Sequence, residues 1–184
     1  YRPLQQLCLQ ILHQEEISMG KNSEHTYGIL FDGAWLWEEY LSTLLLVKEG
    51  FIHPQNRSKK GSISLFTDNS GKRYPDFYHA ESKIVLDAKY KCLERATKVS
   101  DLDRDDIHQI ISYMHVLPSN IGGLLYPSKS EPPATLIQST LKGYGGTMTL
   151  FPVHIPVVDN WNDFLQQIKS SESKLISDIE NITA

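Results

Sequence analysis

The chain has 184 residues, 40% of them hydrophobic and 22% charged, with a net charge of −4. That is enough for one domain with a substantial core but not for two of ordinary size, and the balance of charge does not mark a nucleic-acid binder. No apolar run approaches the roughly 20 residues of a membrane span, residues 44–47 forming only a short island.

Cys8 and Cys92 lie far apart without metal-ligand spacing, so a reducing, cytoplasmic setting without a disulfide is expected. Tyr1 stands where a methionine would open a complete chain. With no signal-like segment after it, the sequence is expected to be part of a longer polypeptide.

Leu4, Leu7, Cys8, Ile11 and Leu12 recur at helical spacing and predict an amphipathic helix over about the first 15 residues. Residues 19–28 are polar and read as a loop. Asp32 is placed to cap a second helix running to about Lys48, with Gly50 as its stop signal. Short strands are expected at 51–53 and 63–67, then a hairpin of 74–80 with 83–91 turning at Ala80, Glu81 and Ser82. A polar linker containing Thr97 and Ser100 leads to a third helix over 103–117, ended by Pro118. Strands at 121–126 (closed by Pro127), 136–141 and 148–155 precede a last helix over 160–179. The order predicts an α/β fold, a mixed central sheet flanked by helices.

The most informative stretch is the hairpin. Asp76 follows a proline, and eleven residues later Asp87, Ala88 and Lys89 sit in a strongly β-forming run. Side chains alternate along a strand, so Ile84, Leu86, Ala88 and Tyr90 share one face. Lys83, Val85, Asp87 and Lys89 share the other. Asp87 and Lys89 therefore project together, and the turn returns Asp76 to the same region. Two carboxylates and a lysine at a sheet edge suit a hard divalent metal beside a phosphate.

Two helices supply matching groups. At about 100° per residue, the apolar centre of the second helix falls near Trp37, Leu41 and Leu44. Glu38 lies at the margin of that face and can reach a site on the sheet, whereas Glu39 points nearly opposite and should be solvated. In the third helix Asp106, Gln109 and Tyr113 have i, i+3, i+7 spacing and form a polar edge beside Ile107, Ile110 and Met114. Gln109 and Tyr113 can hydrogen-bond a phosphate, a base or the lysine. An acid favoured by the helix dipole is the plainer reading of Asp106.

Arg57, Lys59, Lys60, Lys72 and Arg73 cluster ahead of the motif and suit a phosphate backbone, although from charge alone a solvated loop is the plainer reading. Other chemistries lack their patterns. Asp101, Asp103, Asp105 and Asp106 have no loop glycine or terminal glutamate for calcium. The seven histidines show no zinc spacing, and the glycines at 143, 145 and 146 are not followed by a phosphate-loop Lys.

A helical Glu, Pro-Asp, Asp-Ala-Lys and then Gln-x-x-x-Tyr, in that order, resemble the PD-(D/E)XK nuclease superfamily. Ile29–Asp32 leading into Leu36–Tyr40, Tyr74–Phe77 with Leu86–Lys91, and Asp106–Gln109 with Tyr113 look closer still to the nuclease domain of the McrC family. The likeness covers roughly residues 4–155 and continues through Gly123–Pro127.

That resemblance implies a single nuclease domain over 1–184, divided into an N-terminal helix and loop (1–30), a catalytic core (31–155) and a C-terminal helix (156–184). It implies a DNA endonuclease requiring Mg²⁺, with Mn²⁺ as a substitute. Asp76, Asp87, the Ala88 backbone carbonyl and Glu38 would be its ligands. Lys89 would position or activate the attacking water and offset charge on the transition state, Gln109 and Tyr113 would orient the lysine or touch DNA, and Asp106 would support them. The implied partners are DNA and an McrB-like GTP-dependent AAA+ motor, within a dimer or higher assembly and without a membrane. Two other readings stay open: a repair or recombination nuclease with a different partner, and a non-catalytic docking module on a nuclease fold.

Overall fold

The computed structural model describes residues 32–47, 50–54, 58–143 and 145–183. The expected N-terminal helix with Cys8, the 19–28 loop, residues 29–31 and Arg57 lie outside the described residues.

Helix α1 (Gly33–Leu45) begins at the expected cap, where Asp32 Oδ1 accepts the Trp35 N–H at 3.1 Å. It stops about a turn short of Lys48, and its buried face carries Leu45 with Trp37 and Leu41, leaving Leu44 only half-buried. Strand β1 (Phe51–Ile52) pairs antiparallel with β4 (Phe77–His79), which pairs antiparallel with β5 (Ile84–Ala88). Strands β2 (Ile63–Ser64) and β3 (Lys72–Arg73) form a separate two-stranded ribbon. The expected linker holds a 3₁₀ turn (Val99–Asp101) that buries Val99 and Leu102. Helix α2 (Arg104–Val116) leads into β6 (Ile121–Ser128), β7 (Gln138–Thr140), β8 (Thr147–His154) and helix α3 (Trp161–Thr183).

Among the described residues the main sheet has six strands in the order β1-β4-β5-β6-β8-β7. Strands β5, β6 and β8 are parallel, and antiparallel strands complete both sides. The alternation foreseen in β5 sorts its side chains between two cores. Ile84 and Leu86 join Trp37, Leu41 and Leu175 under α1 and α3. Val85 joins Ile110, Tyr113 and Met114 under α2. The result is a three-layer mixed α/β fold, and it directs Asp87 and Lys89, in register with Val85, toward α2.

Two expectations are corrected in ways that bear on the site. The ladder of the hairpin is shorter than 74–80 with 83–91, because the Ala88 N–H is taken by the Asp76 carboxylate instead of a strand partner. Pro127 does not close β6, which runs on to Ser128. Strand β5 ends opposite Leu125, so the N–H that Pro127 lacks, two residues further on and on the same edge, would have faced no partner.

Glycines in β6 set how closely the layers approach. A Cβ on Gly122 would stand 2.4 Å from Ile110 and 2.5 Å from Met114 of α2. One on Gly123 would stand 2.6 Å from Leu86 and 2.5 Å from Phe151. The polar edge of α2 is thereby held against the end of β5. Gly122→Val should cost about 1–3 kcal/mol by overpacking and lower the melting temperature by several degrees in a thermal unfolding scan. An unchanged midpoint would show that this close approach is not needed.

Candidate functional site

The C-terminal end of β5 opens into a cleft of about 700 Å³ whose lining includes Glu38, His53, Asp76, Asp87, Lys89 and Gln109. Each side chain arrives on a different part of the frame. Asp76 precedes β4, Asp87 is the fourth residue of β5, Glu38 lies on α1 and Gln109 on α2. One carbonyl joins these parts: Leu125 O accepts both the Lys89 main-chain N–H at 2.8 Å and the Trp37 indole N–H at 3.1 Å. That pair of bonds seats α1 over the end of β5, one residue from Glu38.

Asp76 Oδ2 accepts the Ala88 N–H at 2.6 Å. In an extended strand the N–H and C=O of one residue point the same way, so the Ala88 carbonyl faces the Asp76 edge too. Burial pushes the Asp76 carboxyl well above its ordinary value, and the neighbouring charges of Asp87 and Glu38 push in the same direction. The Ala88 N–H and Lys89 oppose them. Asp87 is only 2% exposed; burial raises it, Lys89 opposes, and the Asp106 charge adds to the rise. Lys89 Nζ lies 2.6 Å from Asp87 Oδ2, yet that buried oxygen has no well-aligned hydrogen bond. The contact is close in distance and poor in direction.

Lys89 is braced on its other side. Its ammonium donates to Gln109 Oε1 at 2.7 Å, and Gln109 Nε2 donates to Tyr113 Oη at 2.9 Å. Tyr113 Oη reaches back to the Tyr74 carbonyl at 3.5 Å. Burial, with the charges of Asp87 and Asp76, pushes the Tyr113 phenol up to about 12, although its bond with Gln109 works the other way; it stays a neutral donor. Burial alone would lower the Lys89 ammonium, but Asp87, Asp106 and Asp76 together hold it above its ordinary value. Lys89 is a persistent cation.

Asp106 is 5% exposed and bridges two lysines, Lys89 at 3.5 Å and Lys91 at 2.7 Å, while Lys91 also meets Asp103 at 2.8 Å. Glu38 is half-buried and Glu39 exposed, as their places on the helix implied, but both border the cleft. Lys72 and Arg73 are exposed on the cleft wall; Lys59 and Lys60 are exposed outside it.

Two contributors escaped sequence reading. Lys91 continues the alternation of Asp87 and Lys89 and was legible as a third projecting side chain. His53 gave no signal, because only the pairing of β1 with β4 brings it to the cleft. Its Nδ1 lies 2.6 Å from the Asp76 carbonyl oxygen.

The donor set is one of hard oxygens under mutual repulsion. Among the described residues no three His, Cys, Asp or Glu side chains are gathered as a ready-made metal cage. The poorly satisfied Asp87 oxygen and the crowding that raises Asp76 are what a bound cation would relieve.

No curated protein matches this chain. Among solved structures, a chain of the Thermococcus gammatolerans assembly of McrB AAA+ hexamers with bound McrC shares the fold at a TM-score of 0.58 and 15% identity. The match covers 83% of this chain and 34% of that one, so this chain spans about a third of its relative's length. The family model described as McrBC 5-methylcytosine restriction system component matches residues 1–127, well over half of the sequence, and the chain belongs to that family.

Proposed function

We propose that the chain is a Mg²⁺-dependent DNA endonuclease domain, the cutting part of a motor-driven, modification-dependent restriction system in the cytoplasm. The observation that carries this reading is the meeting of Asp76, Asp87 and a braced, cationic Lys89 at the end of β5. Family membership supports the restriction setting. The fold shared with a chain of the McrB–McrC assembly supports an McrB-like AAA+ partner and a higher-order complex.

Asp76, Asp87, the Ala88 carbonyl and Glu38 would hold the ion. When bound, it supplies Lewis acidity and positive charge at the scissile phosphate. Lys89 offsets charge that develops on the phosphoryl oxygens, a role that needs a fixed cation. Its raised affinity for the proton makes it a poor general base near neutral pH. Gln109 and Tyr113 keep the ammonium aimed. Lys72 and Arg73 offer exposed charges on the cleft wall for the DNA backbone.

The direct test is cleavage of methylated DNA by this chain with its motor partner. Asp87→Ala and Lys89→Ala should each lower the rate about 100-fold or more while the fold is retained by circular dichroism. Wild-type rates in both would refute the assignment, and motor-independent cutting would favour a repair-type nuclease.

Glu38 and Glu39 separate a site role from surface charge. Glu38→Ala should weaken divalent-ion binding in a calorimetric titration, and Glu39→Ala should leave it nearly unchanged. Equal effects would remove Glu38 from the site.

The raised Asp76 carboxyl also sets a pH signature. Its folded-state value exceeds the unfolded one, so its ionisation costs stability, increasingly as pH rises from the ordinary carboxylate range through the raised value. Asp76→Asn should therefore raise the melting temperature of the metal-free protein at neutral pH, shrink that advantage in acid, and abolish the stabilisation that Mg²⁺ gives the wild type. A variant less stable at neutral pH than the wild type would contradict this charge balance.

A further inference from the structure

Strands β2 and β3 form a ribbon apart from the main sheet, and the catalytic reading gives its tip no role. An isolated two-stranded ribbon is only marginally stable in water. Here Ile63 anchors it, entering the core that holds Val85 and Ile110. The turn beyond is closely tied. The Asn69 N–H donates to the Phe66 carbonyl at 3.1 Å and the Leu65 N–H to the Gly71 carbonyl at 3.3 Å. Asp68 Oδ1 accepts the Ser70 N–H at 2.9 Å. On this braced tip Phe66 is 62% exposed. Its ring lies over Gly71, where a Cβ would come within 2.9 Å of it.

A lone exposed phenylalanine is ordinary on a protein surface. What distinguishes Phe66 is its setting. Between residues 58 and 73 four cations, Lys59, Lys60, Lys72 and Arg73, accompany a single acid, Asp68, in a chain of net charge −4. All four are exposed, and the acid is engaged in the turn. Thr67, Asn69 and Ser70 beside the ring are exposed and polar. The tip therefore offers one apolar blade, not the contiguous apolar patch of a protein interface. Lys72 and Arg73 at the foot of the ribbon line the cleft. Arg73 pairs with Ile63, so at about 3.4 Å per residue Phe66 stands about 10 Å along the ribbon from that foot. That is about three base steps of a DNA strand.

We propose that the β2–β3 ribbon grips the DNA duplex beside the cleft, its four cations on backbone phosphates and Phe66 as a wedge inserted between base pairs from the minor groove. The inference rests on the reading of the chain as a DNA nuclease and adds the form in which the duplex is presented, kinked and partly unstacked. Apolar wedges of this kind open a base step and bend the helix, a cost offset by the extra backbone contacts that bending permits. The cations hold phosphates without regard to sequence, and the ring fixes the ribbon at one step.

The test is titration of the chain, with EDTA to prevent cleavage, into a short duplex carrying 2-aminopurine and end labels for energy transfer. The wild type should raise the 2-aminopurine fluorescence as bases unstack and shorten the end-to-end distance as the duplex bends. Phe66→Ser should abolish both signals and bind about ten-fold more weakly, whereas Phe66→Trp should retain them. Lys72→Ala combined with Arg73→Ala should weaken binding and flatten its salt dependence, with the fluorescence rise recovered at saturation. The wild-type signals are read on the unaltered protein, so they decide the question even if a variant folds poorly. Wild-type binding without unstacking or bending, or undiminished signals in Phe66→Ser, would overturn this inference and leave the nuclease reading standing. Failure of the wild type to bind duplex DNA at all would overturn both.

Discussion

Burial of like charge at the end of one short strand is the constraint on which the rest of this fold depends. Asp87 is 2% exposed, and its charge disfavours ionisation of Asp76 beside it. Such a pair is costly in a low-dielectric interior unless it is compensated. Compensation comes from a main-chain N–H at Ala88 and the ammonium of Lys89, and it is incomplete, since Asp87 Oδ2 is left without a well-directed donor. A fold selected for stability alone would have placed apolar side chains here. The incomplete compensation is what the proposed metal ion would relieve.

The surrounding architecture keeps these groups in register. Leu125 O binds both β5 and the Trp37 indole, which couples the position of Glu38 to that of Lys89 through two hydrogen bonds to one atom. On the opposite face, Gly122 lets α2 settle against the sheet, within reach of the lysine for Gln109 and Tyr113. Asp106 and Lys91 extend the charge alternation outward, so that Lys89 sits between a buried acid on its own strand and another on α2.

Much of this was legible in the sequence because it depends on local periodicity. Strand alternation put Asp87 and Lys89 on one face, and helical geometry put Glu38 nearer the sheet than Glu39 and aligned Gln109 with Tyr113. What was illegible depends on contacts between distant segments. His53 enters the cleft only through the β1–β4 pairing, and a lone histidine before a proline carries no periodic signal. The hairpin ladder was overextended because β propensity cannot register that Asp76 would replace a strand partner. Pro127 reads as a stop from sequence alone, because its neighbour's end, which makes the missing N–H harmless, is a property of the sheet.

The most direct measurement is an anomalous difference map from crystals of the chain with Mn²⁺ and a DNA duplex. The proposed site requires a metal peak about 2.2 Å from carboxylate oxygens of Asp76 and Asp87, with Lys89 Nζ still against Gln109 and a backbone phosphate beside it. A map with DNA bound and no metal in this cleft, or with the metal held elsewhere on the chain, would contradict it.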